Sequence, residues 1–320
     1  MNAFFRIFFV ASSTVAVALS LPFLDMSDFS WAENLIITHN GLNMFVSDNT
    51  RGELYRITLA EGGDSYSRIS HVGGEEIAAF GGLAQSADGQ VIYAGVTFQD
   101  DSTAIITTHA NATGGEYDVF YRTTYQPNGL QIDVSRDVLY YTDTASGSLM
   151  AVHSSSAEKS EVLVESVKFA NGCWFDATAD LLYVGSLISK KVTVFDTSSG
   201  EASKVRQYAG MSSLSMEHML DDLTIYSAHT TTSSTSGSGS TVLLGADYGG
   251  HMLQQFTLDG EEVGQVSVSE RVLSEGALQQ ITSVRWGVAP HFDPESVYVS
   301  EGGGMSKKDQ SRRVFQVQMN

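Results

Sequence analysis

Leu130-Gln-Ile-Asp-Val-Ser-Arg-Asp-Val-Leu-Tyr-Tyr-Thr142 is the stretch that decides the fold class. A short apolar segment runs into an Asp-bearing turn, and an aromatic strand follows that ends in a small residue. The pattern returns as Leu83-Ala-Gln-Ser-Ala-Asp-Gly-Gln-Val-Ile-Tyr-Ala-Gly95 and as Cys173-Trp-Phe-Asp-Ala-Thr-Ala-Asp-Leu-Leu-Tyr-Val-Gly185. Weaker copies are Leu35–Ser47, turning at Asn40-Gly41, and Val284–Ser300, turning at Asp293-Pro294. A third strand with alternating apolar residues follows such pairs, as in Lys191–Asp196 and Arg313–Val317. Aromatic and β-branched runs bounded by Asp, Asn and Gly are strand signals. No segment keeps a 3.6-residue apolar period over a helical length.

The residues that lead the repeats, Glu33, Gly82, Asn128, Asn171, Asp221 and Ser283, stand 43 to 62 residues apart. Six units of about four strands predict an all-β, six-bladed β-propeller with four-stranded antiparallel blades around a central channel. A ring leaves only short, protected sheet edges, because each blade packs its faces on its neighbours. A parallel β-helix is the competing architecture, but its repeats are shorter and lack the four-strand rhythm. The long fifth spacing contains His229–Thr241, a Ser/Thr/Gly tract too polar to pack and therefore expected as a loop. Strand alternation puts that loop, and Asn111 of the Asn111-Ala-Thr113 glycosylation sequon, on the face opposite the leading residues.

Composition narrows the function classes. Lys+Arg 18 against Asp+Glu 37 gives a net charge of −19, which repels phosphate backbones and argues against nucleic-acid binding. A hydrophobic content of 42% suffices for a core and argues against disorder. A single cysteine, Cys173, excludes an internal disulfide framework and a thiolate zinc site. Residues 1–20 read as a signal peptide: Arg6 precedes an apolar run, and Ala16-Val17-Ala18 supplies a small-x-small cleavage pattern, with Ala18-Leu19-Ser20 as a second choice. The alternative is an uncleaved membrane anchor over Ile7–Leu24. Residues 21–320 are then one propeller domain, expected as a secreted monomer without stable membrane contact once the leader is removed.

In a propeller the first strand of every blade lines the channel. Glu33-Asn34, Asn128-Gly129, Asn171-Gly172 and Asp221-Asp222 each stand just before such a strand, so their oxygens converge although they lie far apart in sequence. Two carboxylates and two amide carbonyls form a hard oxygen set suited to Ca2+ or another divalent cation. The same pairs also commonly start strands after turns, with no ligand involved. No closely spaced histidine pair points to zinc.

At these residues the chain resembles the calcium-dependent six-bladed propellers of the gluconolactonase (senescence marker protein) and paraoxonase group, with strictosidine synthase-like proteins as cousins. The likeness rests on Phe169-Ala-Asn-Gly172 with Leu181–Val184 and Lys191–Phe195, on Pro127-Asn-Gly-Leu130, on Leu220-Asp-Asp-Leu223 and on Ala32-Glu-Asn-Leu35. It implies metal ligands Glu33, Asn128, Asn171 and Asp221, with Asp222 at a position where paraoxonases carry a further asparagine ligand. It also implies hydrolysis of a small-molecule lactone or ester, with calcium polarising the carbonyl. Gln126 stands where sugar-lactonases typically carry an arginine, which argues against a sugar acid, and the paraoxonase histidine dyad has no clear counterpart.

Water activation needs a base. The expected catalytic residues are Asp221, as ligand and base, and His218, in the loop leading to it beside Glu217. His291 and Glu301 flank the last repeat, and Cys173 is expected as a packed thiol. Two other readings stay open: a non-catalytic ligand-binding propeller with structural calcium, and a strictosidine synthase-like condensing enzyme.

Overall fold

The computed structural model describes residues 16–18, 20–25, 31–60, 63–69, 77–112, 114–124, 127–157, 160–165, 167–199, 203–207, 219–227, 241–248, 252–258, 262–268, 280–302 and 313–319. Among them the chain is all β and forms six sheets. Two strands, β1 (Ala16–Ala18) and β2 (Ser20–Asp25), precede the first repeat. Blade one is β3 (Ala32–Ile37), β4 (Asn43–Asp48), β5 (Glu53–Ala60) and β6 (Gly63–Ile69). Blade two is β7 (Ile77–Gln85), β8 (Val91–Phe98), β9 (Thr103–His109) and β10 (Asp118–Thr123). Blade three is β11 (Pro127–Asp133), β12 (Val138–Asp143), β13 (Ser148–His153) and β14 (Ser160–Glu165). Blade four is β15 (Ala170–Asp176), β16 (Leu181–Ser186), β17 (Val192–Asp196) and β18 (Ser203–Gln207). Blade five is β19 (Met219–Ser227), β20 (Thr241–Tyr248), β21 (Met252–Thr257) and β22 (Glu262–Val268).

The last blade joins the two ends of the chain. Strands β23 (Ile281–Trp286), β24 (Ser296–Glu301) and β25 (Arg313–Gln318) are completed on the outside by β2, which pairs antiparallel with β25. Strand β1 adds a parallel fifth strand to β22 of blade five. Residues 16–18 and 20, which the sequence pattern assigns to a leader, therefore meet the outer edges of two blades.

Blade-on-blade packing follows from the period-two alternation of strands that bury both faces. In β12, Leu139 and Tyr141 join an apolar cluster with Ala84, Tyr93 and Ile105 of blade two, while Tyr140 joins Cys173, Phe175 and Leu182 of blade four. Each of the six blade interfaces holds one such cluster among the described residues, and the ring closes where Phe292, Tyr298 and Val314 meet Leu35, Val46 and Tyr55. Acidic residues cap the turns between strands. Asp48 Oδ1 accepts from the Thr50 and Arg51 N–H groups at 3.0 and 3.2 Å, and Asp133 Oδ1 from Ser135 and Arg136 at 2.9 and 3.2 Å.

Candidate metal centre in the channel

Every first strand breaks register with its partner at the same place, near its start. The breaks fall between Ala32 and Leu35, Phe80 and Leu83, Pro127 and Leu130, Ala170 and Cys173, Leu220 and Leu223, and Ile281 and Ser283. A β-bulge inserts extra residues on one strand and re-aims their side chains. The first bulge position carries Glu33, Gly81, Asn128, Asn171, Asp221 and Thr282 around the ring. The second carries Asn34, Gly82, Gly129, Gly172 and Asp222, with Ser283, paired to Ser300, at the equivalent place in blade six. Four leading residues read from the sequence thus share one layer. Gly82 and Ser283 are one residue out of register with them, and Gly81 and Thr282 take the equivalent places.

Opposite each bulge the second strand carries a small residue: Ser47, Gly95, Thr142, Gly185, Ala246 or Ser300. This accounts for the small residue that closes each repeat, because the position abuts the bulge of the next blade. A Cβ on Gly95 would lie 2.5 Å from Pro127 O. Where a hydroxyl stands there, it ties blades together: Thr142 donates to Asn171 O and accepts from Gly129 N–H at 2.8 Å, and Ser300 donates to Glu33 O at 3.4 Å.

Three of the four donors are in mutual electrostatic or hydrogen-bond contact. The Asn171 side chain bonds Asp221, and the Glu33 charge acts on Asp221. Burial, with Glu33 and Asp222 close by, pushes the Asp221 carboxyl well above the usual carboxylate range, and the Asn171 bond pulls it back in part. Burial pushes the Glu33 carboxyl up to about 7; the indole N–H of Trp31, 2.6 Å from Glu33 Oε2, opposes this, and Asp222 and Asp48 reinforce it. Asn128, half-buried, holds the same bulge register on β11. Trp31 stacks on Tyr248 with ring centres 5.9 Å apart, forming an aromatic wall beside Glu33. Burial and the nearby Asp221 and Glu33 charges raise the Tyr248 phenol.

Asp222 is placed differently from its neighbour. Its carboxylate pairs with the Arg285 guanidinium, accepts from the Ser283 hydroxyl and takes the Leu223 N–H at 2.8 Å. Among the described residues no three His, Cys, Asp or Glu side chains gather as a metal cluster. Cys173 is buried in the interface of blades three and four, and burial raises its thiol, as a packed rather than reactive sulfur requires. His291 lies exposed in a turn, and Glu301 ends β24 buried, paired with Ile281. Glu217, His218 and Gln126 lie outside the described residues, as do 229–240 of the serine-rich tract. That tract leaves β19 at the Ser227–Thr241 pair, at the far end of the strand from Asp221, and exposed Asn111 stands in the β9–β10 turn on the same far face.

Sequence reasoning missed Trp31, Tyr248 and Arg285. For Arg285 a signal existed: it is the one charge in the strand Ile281–Trp286.

No protein-family profile matches the chain. No curated protein matches it either. Solved structures do share its fold. A luciferin-regenerating enzyme superposes with a TM-score of 0.68 at 13% identity, covering 94% of this chain and 95% of its own. Regucalcin from Agrobacterium tumefaciens strain C58, described as a calcium-binding protein, gives 0.64 at 13% identity over 96% of each chain. A chain of a nidogen/laminin complex gives 0.56 at 13% identity over 86% of this chain and 98% of its own. These likenesses establish the six-bladed propeller.

Proposed function

We propose that this protein is a secreted, calcium-dependent hydrolase of small lactones or esters. The observation that carries the reading is the bulge layer: Glu33, Asn128, Asn171 and Asp221, from four blades, fall in one register around the channel. The donor chemistry fits the ion. Two buried carboxylates, Glu33 and Asp221, both raised by burial and by neighbouring acids, are costly to hold charged without a cation, and hard oxygen donors suit calcium. The calcium-binding description of the regucalcin neighbour supports the same choice.

When bound, calcium would supply Lewis-acid polarisation of the substrate carbonyl. The remaining work falls to the chain. Glu33, held by the Trp31 indole, and Asn171, bonded to Asp221, fix the two carboxylates against each other. Asp221 is the group to take the proton of an attacking water on a carboxylate oxygen and to return it to the departing alkoxide, which keeps the hydrolysis balanced in protons. His218 is the second candidate for that proton. The wall of Trp31 and Tyr248 offers an apolar face to the substrate's carbon skeleton. For export, cleavage after Ala18 would remove β1 and leave β2, the strand that completes blade six, intact.

The deciding experiment is hydrolysis of aliphatic, aromatic and sugar lactones and aryl esters by the chain, with calcium and again in EDTA. Turnover that requires calcium is expected, with sugar lactones the poorest members. Calcium binding without turnover of any member would favour a ligand-binding propeller, for which the nidogen/laminin neighbour gives a structural precedent. Hydrolysis that survives complete chelation would overturn the calcium requirement, and condensation of an amine with an aldehyde in EDTA would favour a condensing enzyme.

A further inference from the structure

Arg285 is buried, and arginine is almost never fully buried unless paired. Its Nη1 pairs with Asp222 and donates to the carbonyls of Val284 and Leu223 at 2.7 and 3.2 Å. Its guanidinium carbon sits 5.7 Å from the centre of the Trp174 ring, so blade four supports it from the side. Asp222 is held as firmly, by the Leu223 N–H at 2.8 Å, the Ser283 hydroxyl and the Val284 N–H at 3.4 Å. The pair is a rigid unit of the channel wall.

Its place in the ring gives it a role. Blade six lies between blade five, which carries Asp221, and blade one, which carries Glu33. It offers neither acid nor amide to the donor layer, only Thr282 and Ser283. Ser283 spans both neighbours: its hydroxyl donates to Asp222, and its oxygen accepts from Leu35 N–H at 3.3 Å. Asp222 is near enough for its charge to act on both Glu33 and Asp221. Asp222 therefore adds its charge to those of Glu33 and Asp221, and the Arg285 guanidinium pairs with it.

We infer that Arg285 is a positioning residue that cancels the charge of Asp222, leaving the axial site with the two charges of Glu33 and Asp221 and so with a preference for a divalent over a trivalent cation. The inference rests on the reading of the four donors as a cation site. Without Arg285 the Asp222 carboxylate becomes a third uncancelled anion, and the balance moves toward a triply charged ion.

The test compares calcium, by calorimetry, with terbium, by luminescence sensitised through Trp31, whose indole bonds Glu33. Arg285→Met is expected to shift the terbium-to-calcium affinity ratio toward terbium by about tenfold or more. Arg285→Lys, which keeps the charge, holds the wild-type ratio, and so does Arg285→Met with Asp222→Asn, which removes both charges together. An unchanged ratio in folded Arg285→Met overturns the inference. Should that variant fail to fold by circular dichroism, Asp222→Asn alone decides: it leaves the guanidinium uncancelled and must bind calcium about tenfold more weakly than the wild type. Equal affinity overturns the inference there too. A wild-type chain that binds neither ion overturns the cation site itself, and the two failures are distinct.

Discussion

The two halves of the channel wall are built by different means. In blades two, three and four the second bulge residue is Gly82, Gly129 or Gly172, and in blades five, six and one it is Asp222, Ser283 or Asn34. On the glycine side the next blade's backbone presses straight in. A Cβ on Gly82 would lie 2.0 Å from Asn128 O, and one on Gly129 2.5 Å from Asn171 O. On the polar side the seams are closed by side chains: Asp222 to Ser283 and Arg285, Thr282 to Ala32 O at 2.6 Å, and the Ser47 hydroxyl to Gly81 O at 3.5 Å. Both buried acids, Glu33 and Asp221, belong to the polar half, and both amides, Asn128 and Asn171, to the glycine half. A sixfold repeat thus yields an asymmetric site, because the same bulge admits either close backbone contact or a polar group.

The strongest way to break the comparison is to put a side chain where the backbone seam is tightest. Gly82→Val should cost about 3 kcal/mol or more, since the obstructing atom is a neighbouring strand's carbonyl and not a movable side chain. Gly114→Ala is the matched control: nothing lies within 4 Å of its added Cβ, and its effect should stay within about 0.5 kcal/mol. Chemical denaturation of both variants checks this, and equal stabilities would mean that the glycine seam is not close-packed.

Next in size is the amide that crosses from one half to the other. Asn171 stands on the glycine side yet bonds Asp221 on the polar side. Asn171→Ala should weaken calcium binding about tenfold or more, by the loss of one oxygen donor and of the group that orients Asp221. Calorimetry measures it, and an unchanged affinity would remove Asn171 from the site.

How much of this was legible follows from the distance over which each feature is decided. The blades were readable because each strand pair with its Asp-rich turn is local, and strands that bury both faces, such as Val138–Asp143, read as near-continuous apolar runs. The four donors were readable as a set, since Asn128-Gly129 and Asn171-Gly172 advertise a bulge followed by a close approach. Their register was not, because an inserted residue does not show which of two neighbours is displaced; hence Gly82 and Ser283 in place of Gly81 and Thr282. The Arg285–Asp222 pair spans 63 residues and the Trp31–Tyr248 stack joins blades one and five, and no local pattern encodes either. Strand β2 was not read as a strand, its residues falling to the end of the leader, the alternative anchor and the start of the propeller domain, because its partner Arg313–Gln318 stands at the other end of the chain.

The acids of the polar half give a pH signature that the amides cannot. Glu33 titrates near 7 in the fold against 4.5 ordinarily, so the folded chain keeps a proton that the unfolded chain releases between those values. Stability from this group is greatest at or below pH 4.5, falls as pH rises to about 7 and is level beyond. In EDTA the melting temperature should therefore drop by about 5 °C between pH 5 and pH 8, and Glu33→Gln should flatten much of that slope. Calcium, which takes the place of protons on the carboxylates, should bind more tightly as pH rises over the same range. A Glu33→Gln chain with the full wild-type slope would move the titration to another group.

The smallest expected effect sharpens the comparison most finely. Thr142 is the one hydroxyl at a bulge-facing position within the glycine half, where Gly95 and Gly185 stand in the flanking blades. It joins the Gly129 N–H to Asn171 O, so it links the backbones of two donor-bearing bulges. Thr142→Val keeps the shape and removes both bonds, leaving a buried N–H and a buried carbonyl to find other partners, and should cost about 1 to 3 kcal/mol if neither does. The seam beside it is already held by backbone contact, so the loss should sit at the low end, near 1 kcal/mol, whereas Ser300→Ala in the polar half, where side chains make the closure, should cost at least as much although its 3.4 Å bond to Glu33 O is longer. If Thr142→Val proves the costlier of the two, the hydroxyl bridge and not the glycine approach holds blades three and four together, and the division of the wall into two halves fails at that seam.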